Sequence, residues 1–479
     1  MLIPTLSKPN LARGALVLVL GALPTAVHSL TSYANDFVDP DYIVGRKFPA
    51  NTAIAQKTIV RWANEYATLG PWSVMNKSVV PPTGDKHTYM SWLPYWWPDC
   101  SNVGNTTALS REQVYKQCKY VQRDGEFNPD VRLVNDTGSF QTMSDAVLYN
   151  TLAWVINGSN IHMNNAVHYI DTWFINPNTF MYPNLDCAQG KRGVGGNNGS
   201  HAGVLDLKGM TKISSSIMIL RKAAASAWTK DLDGKMNQWL SQYINWLEHN
   251  PLALEEKAAA NNHGSFYFNQ VAALKILAGD NSGALNILGE YFDGIYKDQI
   301  NADGEQPLEA ERTRPYHYRT YNLAAMITNA RLAKYAGWDV YQHTSNSGGT
   351  IQKALDFAMN TGPGKEVARD LYPNVAAVGA IYGDTNRKYS RFLARGDEAY
   401  PAKPYFLWNQ PLSDNGWVSR NPNYGVSTVF SNNTATKNGN SGNGSSSGGS
   451  TKNNNGSVKV VAGTIALATF SVFAAWFLA

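Results

Sequence analysis

Charge is scarce in this chain. Of 479 residues, 16% are Asp, Glu, Lys or Arg, and the formal net charge of +5 is itself inflated. Lys8, Arg13, Lys452 and Lys459 lie in terminal segments expected to be removed, with no acids beside them, so the mature chain stands near +1. No basic run interrupts residues 30–425, which leaves nucleic acid without a footprint and makes any anion recognition a local matter. Cysteine is rarer still: Cys100, Cys118 and Cys187 match no zinc spacing and allow one disulfide. Cys100 with Cys118 closes the shortest loop, but the pairing is not legible. Also missing from residues 30–425 are H-E-x-x-H, G-x-S-x-G, a G-x-x-x-x-G-K-[ST] phosphate loop and an EF-hand, so no metal or cofactor is expected. Alternating strand patterns are few.

What is present is apolar and aromatic, at 43% and 11% of residues, enough for a large core. Residues 1–29 join Lys8 and Arg13 to "ALVLVLGALPTAV" and then "VHS", the pattern of a secretory signal peptide. At the other end an Asn, Gly and Ser-rich stalk (426–458) leads into an uncharged apolar tail (459–479). Small residues at Ser447 to Ser450, a polar spacer and that tail make a GPI-attachment signal. A membrane-spanning tail anchor is the other reading, since about 20 apolar residues suffice to span. Acceptor triplets at Asn76, Asn105, Asn135, Asn157 and Asn198 agree with export, hence a glycoprotein at the cell surface, held by a lipid anchor and expected to be monomeric.

The body, 30–425, reads as helices. Met210, Ile213, Ile217, Leu220, Ala224 and Trp228 mark one helical face, and Trp239, Tyr243 and Trp246 mark the next. Further helices are expected near 139–156, 161–175, 265–278, 282–298, 316–336 and 350–360, with more closing the fold from 365 to 425. The expectation is an all-α protein, an incomplete α/α toroid of helical hairpins with an aromatic-lined cleft. Periodicity alone does not separate that from a less regular bundle. Ahead of the helices, "KHTYMSWLPYWWPDC" carries Tyr89, Trp92, Tyr95, Trp96 and Trp97 broken by Pro94 and Pro98, so it is no helix. Such rings are platforms for sugars or plugs for the barrel end. "GVGGNNGS" (193–200), with no strand ahead of it, reads as a mobile lid over a cleft.

Polar chemistry gathers at "NNHG" (261–264) and at "DGEQPLEAERTRPYHYRTYNL", where Arg312, Arg314, His317, Tyr318 and Arg319 crowd a helix start. Arginine beside tyrosine lowers the phenol's pKa, so a phenolate base is expected there. His263 titrates near working pH unaided. An amide, a histidine, an arginine and a tyrosine suffice for elimination across a uronic acid, in which the carboxylate is neutralised and the leaving oxygen protonated. The plainer readings are an Asn helix cap with a packed histidine, and a half-buried core tyrosine.

"KHTYMSWLPYWWPD", "RDGEFNPD", "WFINPNTFMYPNLDCAQG", "NNHGSFYFNQ" and the 303–323 stretch together resemble the alginate lyase family, metal-independent α/α-toroid enzymes that cleave polyuronates by β-elimination. The resemblance spans about residues 80–360. It implies Asn262 and Arg312 as carboxylate neutralisers, Tyr318 as acid and also as base, and His263 as base or second neutraliser, in a secreted, GPI-anchored member of fungal type. Lys86, His87, Tyr89, Trp96, Asn184, Gln189 and His317 are candidates for substrate contact, with an acidic polysaccharide as partner. Thr88 and Tyr182 depart from the family's usual "KHDYMS" and "MNPNL", which leaves the polymer open among mannuronate, guluronate and glucuronate. Two other functions remain: an inverting hydrolase using Asp303 and Glu309 at about 6.5–9.5 Å, or a non-catalytic wall-glycan binder.

Overall fold

Helix after helix begins on a side chain that accepts a backbone N–H: Ser110, Thr229, Asn250, Asn261, Asp280 and Thr350 all do so. The computed structural model describes residues 36–104 and 108–424. The expected signal peptide, the stalk, the anchor tail and Asn105 lie outside the described residues.

The principal helices in chain order are α1 (Ala53–Ala67), α2 (Asp136–Asn157), α3 (Asn160–Ile170), α4 (Met210–Lys222), α5 (Lys230–His249) and α6 (Pro251–Lys257). They continue with α7 (Asn262–Leu277), α8 (Asn281–Asp293), α9 (Pro315–Tyr335), α10 (Ile351–Asn360), α11 (Tyr372–Tyr382) and α12 (Lys388–Gly396). An inner file runs α2, α4, α7, α9, α11, each packed on the next, while α3, α8, α10 and α12 back α2, α7, α9 and α11 from outside. Residues 405–408 contact both α11 and α1, which returns the end of the domain to its start. This is the α/α toroid. In α7 every residue except His263 and Lys275 is buried, as an inner helix apolar on all sides must be.

The non-helical segments build the rim. Strand β1 (Met90–Trp92) pairs in parallel with β4 (Cys187–Gly190), and β2 (Trp96–Asp99) pairs antiparallel with β3 (Lys119–Gln122). A Cys100–Cys118 disulfide closes the second pair, and Cys187 is buried and free. A buried carboxylate ties these pieces to the helices. Asp206 accepts from Tyr89 (3.1 Å), Thr137 of α2 (3.1 Å), the Gln189 amide (2.8 Å) and Ser91. Burial pushes its carboxyl up, opposed by the Ser91 and Gln189 bonds. Four donors on one carboxylate fix β1 and β4 against the inner helices, and so fix the mouth of the cleft.

Candidate active site

Asn261, not Asn262, caps α7: its side chain accepts from the His263 N–H at 3.2 Å. The cap duty thus falls one residue earlier and leaves Asn262 and His263 for other work. The turn is tight because a Cβ on Gly264 would stand 2.1 Å from the Ala259 carbonyl oxygen.

His263 opens onto a cavity of about 570 Å³, together with Arg312 and Tyr318. Tyr318 is brought there by α9, whose Pro315 at the first turn needs no N–H partner. The Arg312 guanidinium lies 3.7 Å over the Tyr318 ring and donates to its hydroxyl oxygen at 2.8 Å. Arg312 also pairs with Asp124 at 3.2 Å. Burial works to raise the Asp124 carboxyl, but the Arg312 charge and bonds from Thr313 and Arg312 outweigh it and hold it below its ordinary range. Arg314 reaches Tyr95, whose hydroxyl stands 3.4 Å from that of Tyr318.

The expected phenolate is overturned. Burial is the dominant influence on Tyr318 and, with Tyr95 beside it, drives its pKa well above the ordinary value of 10, beyond what Arg312 and Arg314 recover. The phenol therefore keeps its proton. Since Arg312 occupies an oxygen lone pair, that proton remains available for donation.

His263 is held from behind. Its Nδ1 lies 2.7 Å from Glu256, and the other Glu256 oxygen lies 2.5 Å from Nδ1 of His201. Glu256, from α6, is fully buried; burial would raise it, but the two histidines hold it below its ordinary range. The Glu256 hydrogen bond in turn raises His201, against burial. Both imidazoles bind Glu256 through Nδ1 and line the cavity; Nε2 of His263 is left for a ligand, while Nε2 of His201 lies 3.7 Å from a Glu255 oxygen. These three side chains are also the ones among the described residues that could gather round a metal ion, their ligand atoms lying within 4.8 Å of one another. The present Nδ1 to carboxylate separations are those of hydrogen bonds.

Asn262 is fully buried and not among the residues lining the cavity. Its backbone N–H and Nδ2 both donate to Glu309, each at 2.8 Å, while Oδ1 has no hydrogen-bond partner. The backbone N–H and one of the two Nδ2 N–H groups are thus engaged by Glu309. Glu309 is raised by burial against these bonds. The hydrolase pair fails: Glu309 faces Asn262, exposed Asp303 caps the Glu305 N–H, and neither lines the cavity.

The expected substrate contacts divide. Trp96 and Gln189 border the cavity, Trp96 with the Lys191 ammonium 4.3 Å over its ring, Gln189 with its amide committed to Asp206. Tyr89 does not: it is wholly buried on Thr137 and Asp206, so it is part of the scaffold. Lys86, His87 and Asn184 are likewise away from the lining. The Lys86 carbonyl receives Lys77, His87 donates to the Phe180 carbonyl at 2.6 Å, and Asn184 makes a turn with Asp186. His317 stacks on Tyr321 beside Tyr318, with Nδ1 3.6 Å from Asp370, outside the cavity wall. Thr88 is buried against Thr83, and Tyr182 bonds Asp85, so neither departure from the family pattern faces the cavity. The glycine-rich loop does border it through Gly195, Asn197 and Ser200, but backbone bonds to Cys118, Lys191 and Ala188 tie it down.

Glu256, His201, Asp124 and Lys208 escaped the sequence reading, which took Tyr95 only as one of the aromatic run. Glu256 sits two helical turns' worth of chain before His263, and Asp124 lies inside the quoted "RDGEFNPD"; those were the available signals.

A family model described as alginate lyase matches residues 73–367. Among solved structures, an alginate lyase from Bacteroides ovatus is 26% identical with a TM-score of 0.67, covering 78% of this chain and 97% of its own. Alginate lyase A1-III from Sphingomonas species A1 is 14% identical with a TM-score of 0.36, covering 70% and 91%, too distant to carry argument. No curated protein sequence matches.

Proposed function

Because this chain belongs to the alginate lyase family it is a polysaccharide lyase, and we propose that it cleaves a mannuronate or glucuronate polymer at the cavity holding His263, Arg312 and Tyr318. The observation that carries the assignment of roles is the Arg312–Tyr318 pair: a buried phenol that keeps its proton, its oxygen already accepting from a guanidinium.

In this reading Arg312 neutralises the uronate carboxylate with the N–H groups it does not give to Tyr318 and Asp124, which makes the C5 proton removable. His263, oriented through Nδ1 by Glu256, takes that proton at Nε2. The C4–O bond breaks, a C4=C5 double bond forms, and Tyr318 gives its proton to the departing glycosidic oxygen. No water is consumed. Trp96 and Lys191 meet a neighbouring sugar, by ring face and by charge. Asn262 acts from behind, fixing the first turn of α7 through Glu309.

The protein is exported and lipid-anchored in the same reading. Asn76, Asn135, Asn157 and Asn198 are exposed, and a disulfide belongs to an oxidising compartment. Release of the protein from intact cells by phosphatidylinositol-specific phospholipase would support the anchor; retention would remove it. The chemistry is tested by Tyr318→Phe, which should lower kcat by about 10²–10⁴-fold and leave polymer binding nearly unchanged. Full activity in that variant removes Tyr318 from the role of acid.

A further inference from the structure

Glu309 takes the backbone N–H and one Nδ2 N–H of Asn262, so the amide expected to neutralise the substrate carboxylate is already partly engaged, and Asn262 does not line the cavity. A cation that the sequence gave no reason to notice stands in the wall instead. Lys208 follows the 201–207 turn, lines the same cavity as His263 and Arg312, and is only 4% exposed.

Its ammonium is under-coordinated. Of three N–H donors, one reaches a protein acceptor among the described residues, the Leu205 carbonyl at a long 3.4 Å. Among the described residues no carboxylate lies within 4.0 Å of it. Asp206, the nearest acid in the chain, has its oxygens taken by Tyr89, Thr137, Gln189 and Ser91. The remaining company is the Tyr321 ring, 5.8 Å from Nζ. A buried ammonium with one long hydrogen bond, whose nearest carboxylate is already bonded by four other donors, is costly, and folds keep such groups paired unless a ligand completes them.

We propose that Lys208 grips the carboxylate of the uronate at the cleavage site, as the second cation beside Arg312. Desolvation brings its pKa down to about 8, against the charge of Asp206, so it still carries its proton at neutral pH. A desolvated, under-bonded ammonium binds an incoming carboxylate more strongly than a hydrated surface lysine does, because its own dehydration has been met during folding. The proposal builds on the lyase reading and narrows it: the subsite next to the scissile bond requires a free acid, not its ester or alcohol.

The test uses Tyr318→Phe enzyme, which halts turnover, and calorimetric titration with a mannuronate or glucuronate tetrasaccharide and with the carboxyl-reduced neutral counterpart of each. Adding Lys208→Met should cut the acid-to-neutral affinity ratio by about 10- to 100-fold, the worth of a charged hydrogen bond, while affinity for the neutral sugar stays put. Lys208→Arg should restore much of the ratio. An unchanged ratio in Lys208→Met, or equal losses for both ligands, overturns the assignment of Lys208 and leaves the lyase reading standing. If the parent enzyme itself shows no preference for either acidic sugar, the polyuronate reading falls, and Lys208 with it. Should Lys208→Met not fold, the same ratio in Lys208→Gln decides.

Discussion

Lys208 costs stability at neutral pH, and the size of that cost can be worked out. Its ammonium is fully buried and its pKa falls from 10.5 to about 8 on folding. At 1.36 kcal/mol for each tenfold change in proton affinity, that is about 3 kcal/mol. The sign follows from proton counts. Between pH 8 and 10.5 the unfolded chain binds the proton and the folded one does not, so stability rises with pH across this window. Below it both states are charged and the full penalty is present. Lys208→Met, close in length and without charge, should therefore stabilise the protein by up to about 3 kcal/mol at pH 7, and the gain should shrink to nothing as the pH approaches 10.5. Urea denaturation of the two proteins at several pH values measures it. A destabilised Lys208→Met at pH 7, or a gain that does not change with pH, would mean that the ammonium is well solvated or paired and that the reasoning is wrong.

Other consequences are as direct. Glu256→Gln takes away the carboxylate that raises His201, so the His201 imidazole, followed by NMR, should titrate at lower pH. With it goes the stability that the raised His201 gives on the acid side and loses as pH climbs through its folded pKa. Asn262→Asp would set a second carboxylate 2.8 Å from Glu309, and should cost about 3–5 kcal/mol at neutral pH, much of it recovered in acid once one carboxyl is protonated; denaturation at both pH values checks this. Cys100→Ser opens a loop whose ends are 18 residues apart, with an expected loss of about 3 kcal/mol from chain entropy, read as a lower denaturant midpoint.

The toroid was legible because inner and outer helices differ in pattern. Amphipathic faces such as the 239, 243, 246 stripe announce themselves, and the expected bounds near 316–336 and 350–360 fall within a residue or so of α9 and α10. His263, Arg312 and Tyr318 were legible because they cluster in two short motifs. Tyr318 also shows where such reading stops. Its arginine neighbours are visible in the chain, but the burial that overrides them comes from tertiary packing, and Tyr95, which adds to it, lies 223 positions away. Asn262 shows the same limit: nothing local says that Glu309, 47 residues on, will take its backbone N–H and one of its Nδ2 N–H groups. The aromatic run misleads for the opposite reason. Tyr89, just ahead of β1, turns inward onto Asp206 together with Ser91 two residues on, whereas Trp96, past Pro94, borders the cavity. Glu256 on α6 is far in sequence from His201 and Lys208, which flank the 201–207 turn, and only the packing of α6, α7 and that turn sets Glu256 behind the wall they line.

The central claim is elimination from a polyuronate. It is tested by incubating the secreted protein with polymannuronate, polyguluronate and glucuronan and following the ultraviolet absorbance of the 4,5-unsaturated uronate. The account predicts a rise on polymannuronate or glucuronan that Tyr318→Phe abolishes. New reducing ends without that absorbance, or tight polymer binding with neither signal, would contradict it.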